Sequence, residues 1–245
     1  SKIKHEELNH LGIGNTRTSL FERLYLQVVR NNWHQAYGIL EQQGRMHDTL
    51  MDFPNKHFYD GKLQLIPGSG RQTVPLFFEN CHDETKYLQQ RKVLIDTNED
   101  EEINWKTNIN EANACVEVIN DLISLYTLNG KTILEDSIGI ITPYRAQIAL
   151  IRKCMEQLPP EIFKKITVDT VERYQGGARD IVIISFCVNK LAQLDSLVSL
   201  SSEGVDRKLN VALTRAKEQI ILIGNEELLS ANNVYKKLID SYKEK

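Results

Sequence analysis

The chain has 245 residues, 41% hydrophobic and 26% charged, enough to bury a full core as one large α/β domain or two small ones. Its 30 Lys+Arg against 33 Asp+Glu leave a net charge of -3, which excludes a globally basic nucleic-acid coat and confines any polyanion contact to a local patch. The longest apolar stretch, residues 181–188, is interrupted by Ser185 and falls far short of the ~20 residues of a membrane helix, and no charged-then-apolar leader predicts a signal peptide.

Ser19 and Glu22 have capping-box spacing, and Leu20, Leu24 and Val28 share one helical face, which predicts a first helix. A second helix is expected after Met46, with Asp48 as its N-cap and Leu50, Met51 and Phe53 on its apolar side. Pro54 need not end it at once, whereas Asp60-Gly61 marks a turn. Residues 67–91, broken by Pro67, Gly68, Gly70 and Pro75, read as an irregular elaboration in which 74–78 is a candidate strand. From residue 92 the pattern alternates. Strands are expected over 92–96, 138–142, 166–170, 181–188 and 219–224, and helices over 110–128, 144–157, 206–217 and 226–242. Apolar strands alternating with helices predict one α/β domain, a mainly parallel sheet with helices on both faces.

Cys81, Cys115, Cys154 and Cys187 are widely scattered with no C-x-x-C pair, the pattern of reduced thiols in a cytoplasmic protein. The six histidines are equally dispersed, so no metal site is expected. Gly130-Lys131-Thr132 has the closing residues of a phosphate loop, but Leu125 stands where the first glycine belongs and a helix precedes it. A helix C-cap glycine before a polar loop accounts for it. Val93-Leu94-Ile95-Asp96 lacks a phosphate loop upstream and reads as an ordinary strand end; the acidic run 99–102 reads as a solvated loop. Taken alone, the chain carries no complete nucleoside-triphosphate site.

Three segments look unlike ordinary core or loop. Gln43-Gly44-Arg45-Met46-His47 sets an arginine in a turn ahead of a helix. Thr170-Val171-Glu172-Arg173-Tyr174-Gln175-Gly176 runs from a strand end into a polar turn, and in open parallel sheets function gathers beyond the strands' carboxyl ends. Residues 207–217 place Leu209, Ala212, Leu213 and Ala216 on one helical face, with Arg207, Asn210, Thr214, Arg215 and Lys217 elsewhere. Small alanines let such a helix dock closely and aim Arg215 from a rigid support, as an arginine finger requires. A solvated basic helix is the plainer reading of the same residues.

Together these residues resemble the C-terminal motor domain of superfamily 1B helicases, the group of the up-frameshift (nonsense-mediated-decay) RNA helicases and their bacterial relatives, and the resemblance is to the bacterial type. Residues 43–47 resemble the family's Q-x-R-M-H segment, and Phe53-Pro54 with Phe58-Tyr59-Asp60-Gly61 its F-P…F-Y-x-G continuation. Asn108, Glu111 and Ala112 resemble N-x-x-E-A; residues 140–144 resemble motif IV, 170–176 motif V and 207–217 motif VI.

The resemblance implies a second RecA-like lobe of P-loop NTPase fold spanning residues 1–245, whose first lobe lies elsewhere in a longer polypeptide. That N-terminal RecA-like domain would bind most of the ATP and Mg2+, and the isolated chain would be inactive. Arg45 and Arg215 would reach the γ-phosphate, with Gln43, Gly44, Glu172, Gln175 and Gly176 as further nucleotide contacts. Thr142, Pro143, Tyr144, Thr170, Arg207 and Asn210 would face a single strand of DNA or RNA. By the residues alone, Tyr144 suits a strand contact or a buried helix start equally. Two positions depart from the family: Gly44 replaces a base-stacking tyrosine, and Ala178 a ribose-binding glutamate. Both lost groups address base and sugar, so phosphate chemistry is expected to persist with loose nucleotide selectivity. The rival expectation is a non-catalytic RecA-like module that binds nucleic acid or protein, for which an arginine pair has no use.

Overall fold

The computed structural model describes residues 7–8, 19–38, 40–68, 70–99, 104–174, 177–198, 200 and 205–244. It divides into two compact units, residues 1–41 and 42–245. In the first, helix α1 (Leu20–Arg30) starts at Ser19, whose hydroxyl accepts the Glu22 N–H at 3.1 Å, the expected cap.

The second unit opens with strand β1 (Gln42–Gln43), helix α2 (Asp48–Phe58) and strand β2 (Gln64–Leu65), β1 and β2 pairing in parallel. The main elements follow: β3 (Lys92–Asp96), α3 (Ile109–Leu128), β4 (Ile138–Ile141), α4 (Arg145–Cys154), α5 (Pro160–Phe163), β5 (Thr167–Asp169), β6 (Arg179–Ser185), α6 (Leu191–Leu197), α7 (Arg207–Leu213), β7 (Ala216–Gly224), α8 (Glu226–Ser230) and α9 (Asn233–Lys243). The five longer-range strands form one all-parallel sheet in the order β3-β7-β6-β4-β5, the expected α/β architecture. Side chains alternate across it. Ile181, Ile183, Ile221 and Ile223 pack with Ile119 and Leu122 of α3 and Ile151 of α4. Val182, Ile184, Ile220 and Leu222 pack with Leu209 and Leu213 of α7 and with Tyr235 and Leu238 of α9. Each such fully buried aliphatic stabilises by roughly 1.5–3 kcal/mol, so the central strands, apolar on both faces, hold the unit together.

Several expected boundaries change. The helix expected over 206–217 stops at Leu213: the Thr214 hydroxyl turns back onto the carbonyls of Asn210 (2.9 Å) and Val211 (3.2 Å), and Ala216 already belongs to β7. Arg215 therefore sits in the turn between helix and strand, not on the helix. The strand expected over 181–188 instead spans Arg179–Ser185; Cys187 adopts φ 54°, a left-handed geometry that ends a strand. The closing helix breaks in two because the Asn232 side chain caps a fresh start, accepting the Val234 N–H at 2.9 Å. Residues 74–78 form no strand; Phe77 and Phe78 instead pack on Tyr126, ring centroids 5.7 and 5.3 Å away. His47, not Asp48, caps α2, its Nδ1 accepting the Thr49 N–H, and Pro54 lies inside that helix. Helix α6 has no counterpart among the expected elements.

Candidate functional site

The loop after β1 is built by one glutamine. Gln43 Oε1 accepts the N–H groups of Arg45 (2.9 Å) and Met46 (2.8 Å), while its Nε2 donates to the Met46 carbonyl (3.0 Å). Buried Gln72 donates to the carbonyls of Gln43 and Met46. Met46 is driven into the core, and the His47 N–H donates to the Lys217 carbonyl on β7 (2.9 Å). A turn anchored at both ends cannot swing, so Arg45 leaves it in a fixed direction. Gly44 is exposed, and a Cβ there would stand 2.7 Å from Ile66 Cδ1.

Arg45 points at the turn that carries Arg215. Its Nη1 donates to the Thr214 carbonyl at 2.9 Å. Arg215 Nε donates to the Val211 carbonyl at 3.1 Å and Nη1 to the Gly177 carbonyl at 3.4 Å. Burial holds the Arg215 pKa below its ordinary value, and the Arg45 charge pushes it the same way against a smaller opposing pull from Tyr59. Two half-buried guanidiniums from distant segments thus converge and repel, an arrangement that an incoming polyanion relieves. Gln175 and Gly176 lie outside the described residues.

A second set meets at the carboxyl ends of β4 and β6. Thr142, Pro143, Val171, Glu172, Phe186, Lys208 and Ala212 line a small, mostly apolar cleft of about 40 Å³. The Thr142 hydroxyl is buried there with no hydrogen-bond partner among the described residues. Glu172, expected with the nucleotide contacts, stands in this wall and pairs with Lys208 at 3.0 Å. Burial draws its carboxyl upward, but its own backbone N–H, Lys208 and the Thr170 hydroxyl outweigh this and hold it below the usual range. Tyr144 is half-buried at the N-cap of α4. Thr170 starts the 170–174 turn, its carbonyl accepting the N–H groups of Arg173 and Tyr174. Asn210 faces inward and donates to the Tyr59 hydroxyl at 3.3 Å, while Arg207 is exposed at the first turn of α7. Asp206 caps that helix by accepting the Lys208 and Leu209 N–H groups.

Behind the cleft lies a buried polar network that sequence reasoning reached only as a motif match. Asn108 caps α3 by accepting the Glu111 N–H (2.8 Å), and its Nδ2 donates to Asn189 Oδ1 (2.7 Å). Gln147 holds the Asn108 backbone at both its N–H and its carbonyl. Glu111 Oε2 accepts the Ser185 hydroxyl (2.7 Å) and the Cys187 N–H (2.8 Å). Burial pushes the Glu111 carboxyl up to about 7 against the opposing pull of the Ser185 hydroxyl and the backbone N–H groups of residues 186–188. The network fixes where β6 ends, and so where Ser185 and Phe186 stand in the cleft. Among the described residues no three His, Cys, Asp or Glu side chains gather to hold a metal ion, and no helix is long and apolar enough to cross a membrane.

Residues 16–227 match a family model described as an AAA domain. The chain belongs to this AAA_12 family, the C-terminal region of superfamily 1 helicases of the up-frameshift and Sen1 kind. It is 32% identical over 91% of its length to an uncharacterized ATP-dependent helicase of Methanocaldococcus jannaschii. It is 29% identical over 92% to helicase sen1 of Schizosaccharomyces pombe, and 31% over 93% to regulator of nonsense transcripts 1 of Dictyostelium discoideum. The chain spans 31%, 12% and 16% of these relatives. A solved C-terminal domain of a possible DNA helicase from Lactobacillus strain WCFS1 overlays with a TM-score of 0.40 at 13% identity, covering 75% of this chain and 88% of that one.

Proposed function

We propose that the chain is the second RecA-like lobe of an ATP-dependent DNA or RNA helicase or translocase, and that Arg45 and Arg215 act on the γ-phosphate of ATP held mainly by a first lobe in the same polypeptide. The convergence of the two guanidiniums carries this reading. Charge develops on the phosphoryl group in the transition state, and preorganised cations aimed at it lower the barrier. The arginines fit the phosphate end of the nucleotide. The described residues offer no carboxylate cluster fit for Mg2+, whose ligands this reading assigns to the other lobe. Gln43 holds the Arg45 loop, and Gly44, Gln175 and Gly176 complete the nucleotide side, whereas Glu172, paired with Lys208, belongs to the cleft wall. Because Gly44 and Ala178 supply neither a stacking ring nor a carboxylate, selectivity for the base is loose in this lobe.

The cleft beside Thr142 and Pro143, with Tyr144, Thr170, Arg207 and Asn210 around it, forms part of the single-strand groove. A hydroxyl bonds a phosphate oxygen, and a ring packs on the chain. Since the arginines act only when the two lobes close, hydrolysis is coupled to lobe motion and motion to a step along the strand. Alone, the chain hydrolyses nothing. The free cysteines suit the cytoplasm.

The test is strand-stimulated ATP hydrolysis by the full-length protein. Arg215→Ala or Arg45→Ala is expected to lower turnover by about 10³-fold or more while leaving the circular-dichroism melt unchanged. Normal stimulated turnover in Arg215→Ala sinks the assignment.

A further inference from the structure

Strand β3 is an edge. Among the described residues it pairs with β7 on one side and with nothing on the other. The Ile220 N–H donates to the Arg91 carbonyl (2.8 Å) and the Thr97 N–H to the Gly224 carbonyl (3.2 Å). In a parallel ladder this phase commits Val93 and Ile95 to β7 and turns the backbone N–H and C=O of Lys92, Leu94 and Asp96 outward. Edges of this kind are usually blunted or covered.

This one opens on a groove. The outer side of β3 runs along a solvent-open groove of about 630 Å³, walled by Ala114 and Val118 of α3 and by Tyr242 of α9. An added strand would lie about 4.8 Å from β3, between the helices that cover the two sheet faces. Glu117 and Asp121 stand on the α3 wall, with Asp96 and Glu226 toward one end. The cations there are engaged: Lys92 Nζ donates to the Ser241 carbonyl (2.8 Å), and Lys243 pairs with Glu226. Tyr87, whose hydroxyl donates to Asp121 at 2.6 Å, has its pKa raised first by burial and then by Asp121 and Glu117, which reports an acidic field.

We infer that the β3 edge docks an extended segment of a partner protein carrying basic side chains, which adds a sixth strand to the sheet. Backbone groups of Lys92, Leu94 and Asp96 supply the ladder, and Glu117 and Asp121 select for positive charge. A second copy of this chain would bring the same carboxylates together, which disfavours edge-to-edge dimers. The surface is independent of the arginine pair and of the cleft.

The probe is a fluorescein-labelled Lys-Val-Thr-Val-Lys-Val peptide, compared with Glu-Val-Thr-Val-Glu-Val, titrated against the full chain by fluorescence anisotropy. The basic peptide is expected to saturate, with the acidic one at least about tenfold weaker and Glu117→Lys costing the basic peptide about tenfold. On the unsubstituted chain, the basic peptide should slow hydrogen exchange of the Leu94 amide. Leu94→Pro removes that outward donor without touching the β7 ladder and should abolish binding; if it unfolds, the Leu94 exchange measurement decides. Equal binding of the two peptides, saturation without protection at Leu94, or no binding alongside self-association of the chain overturns the inference.

Discussion

Replacing Glu111 by Gln should flatten the pH dependence of stability between pH 5 and 8. Burial holds the Glu111 carboxyl up at about 7, against about 4.3 for an unfolded glutamate. At pH 5 to 6 the folded chain therefore keeps a proton that the unfolded chain has released. The folded state binds more protons, so stability falls as pH rises through this window and levels off above about 7. The gap spans about two and a half pH units, roughly 3 kcal/mol at pH 8. The glutamine side chain of the variant keeps an acceptor for the Ser185 hydroxyl and the Cys187 N–H but does not titrate. Urea unfolding of the parent and of Glu111→Gln at pH 5 and at pH 8 gives the comparison, since all other titrating groups cancel in the difference. The parent should lose about 2.5 kcal/mol more than the variant over the interval. Parallel pH profiles would refute the buried, protonated carboxyl and with it the electrostatic account of the network.

A Cβ at Gly139 would stand 2.5 Å from the Tyr174 hydroxyl and 2.8 Å from Arg179 Cγ. Tyr174 is tied to the Thr167 carbonyl at 2.7 Å, so Gly139→Ala should cost about 1–3 kcal/mol in urea unfolding. Tyr235→Phe removes the donor to buried Asp206 Oδ2 (3.1 Å), weakens the carboxylate that caps α7, and should lower stability by about 1.5–3 kcal/mol in thermal melts. Gln43→Ala leaves the Arg45 and Met46 N–H groups without their acceptor. It should cost about 1–3 kcal/mol and, in the full-length protein, lower strand-stimulated turnover less than Arg45→Ala does.

The sheet was legible because its strands are apolar on both faces. Residues 92–96 and 219–224 admit no other reading once turn residues bound them, and the helices between them follow the 3.6-residue period. What misled was a side chain bonding to its own backbone. Thr214 looks like an ordinary helix position, yet its hydroxyl competes for the carbonyls of Asn210 and Val211 where the helix ends. Between α8 and α9, Asn232 works from the other side, its Oδ1 accepting the Val234 N–H of a new helix. At 74–78 the β-prone residues are outbid by an aromatic contact with Tyr126, made across more than forty residues of chain and invisible to any local pattern. In the site, the arginines and the motif IV threonine could be named from resemblance. Asn108 and Glu111 could be named too, but not their partners Gln147, Ser185 and Asn189, nor Gln72, because those contacts are tertiary.

The displacement of Arg215 from helix to turn sharpens the proposed coupling. On a helix the arginine would follow α7 as a rigid body. In the turn, its guanidinium is held by the Gly177 carbonyl and its own carbonyl accepts the Arg179 N–H at 3.0 Å. The turn that opens at Thr170 sets Val171 and Glu172 in the cleft wall. Arg45 grips the same turn from the other side, through the Thr214 carbonyl. A strand that entered the cleft and displaced the Glu172–Lys208 pair would pull on residues 170–174 and on the start of α7, the helix whose Val211 carbonyl holds Arg215. This predicts that Lys208→Ala, which breaks the pair without touching either arginine, changes how strongly a single strand stimulates hydrolysis in the full-length protein more than it changes unstimulated turnover. An equal effect on both rates would show that the cleft and the arginines work separately.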